Sequence, residues 1–238
     1  MNARTPQPLP PVAHVATDGL SLRDRKKAET RYSIAHATVE AILDQGVELA
    51  TITTICERAG VSQRTFHNYF PHREAAVWHY LQTLLGWLCE AVKVTEPGLE
   101  PLDLVESLAK RFYNNSENPL LSMSALGRLV SVLHGLDLGI LEELINQDVQ
   151  ANAAEESPKD WSPGERFTLP LVESIRGYYG SRIDFFTATM LVHTLLMVCH
   201  SVWELSQDRL LSGDRTAEAM IQESFELLRS GFSLSDAT

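Results

Sequence analysis

The sequence predicts an all-α protein, a small three-helix head in front of a larger helical body. Three observations carry this. Apolar residues recur at spacings of three and four along each long segment, as an amphipathic helix requires. Gly46, Gly60, Pro71, Pro97-Gly98 and Gly213 mark breaks between those segments, and no period-two strand pattern appears. The 238 residues, 44% hydrophobic and 21% charged, suit a small domain joined to a larger one.

Residues 1–21, rich in Pro, Thr and Ala and without an apolar run, are expected to form a disordered arm. A first helix is expected over 22–45, with Ile34, Ala37 and Ala41 on one face, ended by Gly46. Thr51 caps a second helix over 52–59. Gly60-Val61-Ser62 is a short turn, and Ser62 caps a third helix that Pro71 stops. A long fourth helix follows near 73–94, with Trp78, Leu81, Leu85, Leu88 and Val92 at helical spacing. Further helices are expected near 101–115, 119–133, 137–156, 165–179, 183–206 and 215–231. Pro119 opens the second of these, and Ser181 with Asp184 forms a capping box before the fifth. Residues 157–164 form the clearest loop.

A net charge of −11 argues against nucleic acid until it is divided. Residues 1–80 hold nine Lys/Arg against eight Asp/Glu, so the remainder carries a balance of −12. A mildly basic head on an acidic body would orient the molecule at a phosphate backbone. Cys56, Cys89 and Cys199 are too few for a disulfide framework, and with no signal peptide they point to the cytoplasm. The apolar stretch 185–203 carries His193, His200 and several hydroxyls, so burial between protein surfaces explains it better than a membrane span.

Helix, glycine turn and helix is the shape that lays a second helix in the DNA major groove. Ile55, Val61 and Phe66 supply its small core, and Phe70 turns inward with Phe66. The remaining face of the third helix holds Gln63, Arg64, Thr65, His67, Asn68 and Tyr69. Arg64 suits a bidentate contact to guanine and Gln63 one to adenine. Thr65, Tyr69 and Arg73 suit phosphates, as do Thr51, Ser62 and the amides at both helix starts.

The run from Thr51 to Glu74, with its ending Phe66-His67-Asn68-Tyr69-Phe70 and then Arg73-Glu74, resembles the DNA-binding signature of the TetR family. The segment from Lys26 to Gly46 resembles that family's first helix, so the likeness covers roughly residues 22–80. Gln63, Arg64 and His67 match base-reading positions. Thr51, Thr53, Ser62, Thr65, Tyr69 and Arg73 match phosphate positions, and Asn68 matches either. Cys56 stands where the family usually has alanine, and His67-Asn68 replaces a frequent aromatic pair.

The resemblance implies an N-terminal helix-turn-helix DNA-binding domain over 22–72 and a ligand-binding and dimerisation domain over 73–238. It implies a homodimer on a palindromic double-stranded DNA operator, a repressor released by a small-molecule effector. An activator, or a regulator governed by a protein partner, is the alternative. Trp87, Phe112, Phe186, Met190, His193 and Met197 are candidates to line an effector pocket, and each equally fits an ordinary core. His193 and His200 are seven residues apart, about 10.5 Å along a helix, too far to share one ion comfortably. No metal site, cofactor or catalytic group is expected: nucleophile elbow, metal triplet and phosphate loop are all missing from the sequence. A helical module that binds a partner protein is the remaining rival, and the polar face of 62–73 suits phosphates better than an apolar groove.

Overall fold

The computed structural model describes residues 21–113, 122–132, 139–140, 142–144, 146–147 and 163–231. Among these every regular element is helical. The expected arm over 1–20 and the loop over 157–162 lie outside the described residues, as does much of the helix expected over 137–156. The described residues of that last segment are helical.

The head is α1 (Leu22–Gln45), α2 (Ile52–Ala59) and α3 (Gln63–Tyr69). Ser21 opens α1 by accepting the Asp24 amide at 3.2 Å, so it belongs to the helix start rather than to the arm. Ile34, Ala37, Ala41 and Ile42 are buried as expected, and α1 packs on α2 and also on α4 (Arg73–Lys93) and α6 (Met123–Val132). The body adds α5 (Pro101–Tyr113), α7 (Pro163–Tyr179), α8 (Phe185–Gln207), the one-turn α9 (Arg209–Ser212) and α10 (Ala217–Ser230). A 3-10 turn, Gly180–Arg182, joins α7 to α8.

Two expected boundaries move. The cap of α8 is Asp184, which accepts the Thr187 amide at 2.8 Å, while Ser181 sits in the 3-10 turn and caps nothing. A carboxylate directly before the apolar run competes better for those amides than a hydroxyl three residues earlier. Likewise α7 begins at Pro163, two residues inside the expected loop, because proline at the first position lacks only an N–H that the helix cannot use.

One continuous core runs from Ile34 to Phe225. Helix α4 threads it. Its His79 ring lies 5.7 Å from Phe70, Trp78 meets Phe167 of α7 at 5.4 Å, and Trp87 meets Phe112 of α5 edge-on at 4.7 Å. Arg229 holds α10 to α5 through Asp103 and Glu106, both at 2.5 Å. Helix α8 packs on α5, α6, α7 and α10 through Ala188, Leu191, Val192, Leu195, Val198, Cys199 and Val202. All three cysteines are buried, and burial pushes the Cys199 thiol up to about 12, so it stays protonated and unreactive.

Two joints yield predictions. A Cβ added at Gly127 of α6 would stand 2.8 Å from Cγ and Cδ2 of Trp203 on α8. Gly127→Ala is therefore expected to lower unfolding free energy by about 1–3 kcal/mol in urea titrations. Gly177→Ala, on an open face of α7, should raise it by up to about 1 kcal/mol. The second joint is His79, where burial first and the nearby Arg31 charge second pull the imidazole down to about 4. An unfolded histidine takes its proton near pH 6.5, so the neutral ring's contribution is whole above that value and is lost as pH falls toward 4. Between pH 6.5 and 4.5 the parent should lose about 2 kcal/mol more stability than His79→Gln; equal slopes would refute the assignment.

Candidate nucleic-acid interface

The reading helix is built by its caps. Thr51 accepts the Thr54 amide at 3.3 Å and starts α2. Gly60 takes the left-handed conformation, φ 65° and ψ 33°, which a side chain at that point would resist, and the Val61 amide closes on the Cys56 carbonyl at 3.0 Å. Ser62 then accepts the Thr65 amide at 3.0 Å and starts α3. Phe66 and Phe70 are buried beneath α3 with Ile55 and Cys56 of α2. Burial raises the Cys56 thiol, with Glu57 adding to the shift, which fits inert packing. Arg58 ties α2 back to α1 through Asp44 at 2.5 Å and Glu40 at 3.5 Å.

This underside leaves Gln63, Arg64, His67 and Asn68 exposed on one short helix, with Thr65 and Tyr69 half-buried at its flanks. Arg64 has no partner among the described residues. Gln63 is pre-positioned, its amide donating to Thr53 Oγ1 across the turn at 2.9 Å. The hydroxyls of Thr51, Ser62 and Thr65 serve the caps, the last two lying 2.8 Å apart, so what they offer an anion is chiefly the amides they orient.

Arg73 does more than the sequence suggests. Its Nη1 donates to the carbonyls of Val47 at 2.5 Å and Ala50 at 3.3 Å, and its Nε donates to Glu74 at 3.0 Å. With two of its three guanidinium nitrogens engaged and only 24% of the side chain exposed, Arg73 clamps the loop before α2 to the start of α4. Missed by sequence reasoning was His72, whose Nδ1 accepts the Ala75 amide at 3.2 Å and caps α4. Its place one residue before a helix and one after a proline was the available signal.

The expected effector pocket divides as well. Trp87 and Phe112 are buried together, but Phe186, Met190, His193 and Met197 all lie on the outer face of α8, with Phe186 70% exposed. They cannot line one interior cavity with Trp87, because α8 turns the opposite face inward. The indole N–H groups of Trp87 and Trp203 are buried with no acceptor among the described residues.

Residues 34–75 match the family model of bacterial regulatory proteins, tetR family. No curated protein matches the chain. Among solved structures, the fold is similar to a transcriptional regulator from Rhodococcus sp. Rha1, at 13% identity and TM-score 0.53 over 84% of this chain and 96% of that one. It is similar to a TetR-family regulator from Mesorhizobium loti at 12% identity and TM-score 0.54, over 86% and 96%. A third similar structure, the fatty acid degradation regulator FadR from Bacillus halodurans, shares 16% identity at TM-score 0.50, over 84% and 97%. At such identities the likeness speaks for the fold alone. The matched residues hold α2, the Gly60 turn and α3 entire, so this stretch is a helix-turn-helix DNA-binding domain of the tetR-family kind.

Proposed function

We propose that this regulator is a repressor that binds a palindromic operator as a homodimer and leaves it when a small molecule binds the body. The observation that carries the reading is the exposed quartet Gln63, Arg64, His67 and Asn68 on a helix fixed from below by Phe66 and Phe70. Arg64 and Gln63 are the base readers, and Thr53, Thr65, Tyr69 and the amides behind Thr51 and Ser62 hold the backbone.

The dimer rests on α8. This helix is long and apolar enough to cross a membrane by length and composition, yet one of its sides is packed in the core. The other side exposes Phe186, Met190, His193 and Met197 at spacings of four, three and four, the repeat of a helix seam. A second copy covering this stripe explains both its apolarity and its spacing, and a two-fold axis would set the two α3 helices about 34 Å apart for successive major grooves. For the effector, the unpaired indole N–H of Trp87 supports an interior site, since an acceptor supplied there would offset a desolvation cost of about 1–3 kcal/mol. Trp87 stands on α4, the helix that begins at the head, so binding there would bias the separation of the heads.

Selection of bound duplexes from a random pool tests the reading, followed by transcription from a promoter that overlaps the recovered site. On that site Arg64→Ala should weaken binding by about 1–3 kcal/mol and relax preference at one base pair. Unchanged affinity and selectivity would remove Arg64 from the reader. For the dimer, Met190→Glu with Met197→Glu should give a folded monomer by light scattering at micromolar concentration, where the parent is a dimer. A parent that is itself monomeric there would refute the seam.

A further inference from the structure

The outer face of α8 carries ligand chemistry that an apolar seam does not need. At about 100° per residue, Phe186, Met190, His193, Met197, His200 and Glu204 fall within an arc of about 80°, and all six are exposed. Phe186, Met190 and Met197 are what a helix seam calls for. The other three are not. His193, His200 and Glu204 lie within about 40° of one another around the helix, where aliphatic residues would pack against a partner better. Two imidazoles and a carboxylate on one narrow face are also the side chains that bind transition metals.

Two of the three are set as a pair. His200 Nε2 and Glu204 Oε1, one helical turn apart, stand 3.5 Å from each other. That is longer than a well-formed hydrogen bond, and close to the separation of about 3.3 Å that two ligands at 2.0–2.1 Å take around one tetrahedral zinc. The His200 ring is stacked on Trp203 at 6.3 Å, and Trp203 abuts Gly127 of α6, so the imidazole is oriented before any ion arrives. Yet the pair is incomplete. Among the described residues of one chain, no third His, Cys, Asp or Glu joins it. A second copy supplies the missing ligand. Two α8 helices that overlap in full about a two-fold axis cross at residue 196, the midpoint of Phe185–Gln207. Position 193 of one chain then stands level with position 199 of the other, one residue from the partner's His200. Helix axes about 8–10 Å apart leave a gap that a histidine from one side and a His–Glu pair from the other can close on an ion. The spacing that keeps His193 and His200 from sharing an ion within one chain thus brings them together between two.

We propose that α8 builds a divalent transition-metal site shared between subunits, with His193 from one chain and His200 and Glu204 from the other. Symmetry makes two such sites in each dimer. This rests on α8 being the dimer seam. Imidazole with carboxylate suits zinc and its neighbours, whereas magnesium and calcium take oxygen ligands throughout. Three protein ligands leave a fourth position for water. Each ion binds a set of ligands that only the assembled pair brings together, so metal tightens the dimer and with it fixes the spacing of the two reading helices.

The test uses the full chain, stripped of metal with a chelator and then titrated with cobalt(II) or zinc. The parent should take up one ion per chain and show the visible absorption of tetrahedral cobalt, which zinc abolishes by displacement. At zinc about 100 times the Kd of a site, the dimer dissociation constant should fall by up to about 10⁴-fold, about 100-fold for each of two sites. His193→Asn, His200→Asn and Glu204→Ala change exposed side chains, and each should lose the cobalt spectrum while circular dichroism stays that of the parent. The decisive arm mixes His193→Asn and His200→Asn chains by unfolding and refolding them together. A shared site reappears in the heterodimers, at about one quarter of the parent's stoichiometry, because half the dimers are mixed and each regains one of its two sites. Cobalt retained by His193→Asn would place the site within one chain and overturn the proposal, as would a mixture that regains nothing. A parent dimer that takes up no cobalt overturns the metal site and leaves the seam standing. A parent that is monomeric both with and without metal overturns the two together.

Discussion

The position of the reading helix depends on one side chain that reads nothing. The turn from α1 to α2 leaves the carbonyls of Val47 and Ala50 facing the start of α4, and Arg73 closes both while holding the buried Glu74 carboxylate. Unmade hydrogen bonds at such buried groups cost about 1–3 kcal/mol each, and more for a charge. Arg73 thus sets α4 against α2. In turn α2 sets α3, through the left-handed Gly60, the shared Phe66 core and the Gln63–Thr53 bond. Arg64 faces outward at a defined angle because each of these links is short and saturated.

That chain of links constrains any switch. A helix of 21 residues is about 31 Å long, and α4 enters the body by Trp78 and Trp87. With Arg73 clamped and His79 packed on Phe70, a displacement of α4 carries α3 with it instead of bending between them. In the proposed switch a ligand would act only through its different affinity for two head positions, and a tenfold effect on DNA binding would need about 1.4 kcal/mol of that difference. The packing also crosses the division expected at residue 72. Helix α1 touches α6, where Arg128 donates to the Leu43 carbonyl at 3.4 Å, so the head is tied to the body through α6 as well as through α4. The division at 72 is sharper in charge than in packing.

Much of this is legible in the sequence because it is local. A cap hydroxyl, a glycine that must adopt positive φ and a proline that must end a helix act within four residues, and Thr51, Gly60, Ser62 and Pro71 all behave as their chemistry dictates. The clamp made by Arg73 is not legible in the sequence, because a cation at the first position of a helix suits a phosphate and a pair of loop carbonyls equally well, and only the path of the α1–α2 loop brings the carbonyls to it. The outer residues of α8 depart from expectation for a related reason. An apolar run carries no sign of which side faces its own core, so Met190 and Val192 are alike in sequence and opposite in the fold. The Trp87–Phe112 contact joins residues on two different helices, and no periodicity shows which aromatics meet.

The charge division acquires a geometric meaning once these pieces are placed. Most of the negative charge lies in the body, while the cations of α1 and α3 share the head. At about 0.15 M salt the Debye length is about 8 Å, shorter than α4, so the acidic body barely weakens the attraction felt at α3 but repels a duplex that approaches from any other side. Orientation on DNA is then selected before any base is read.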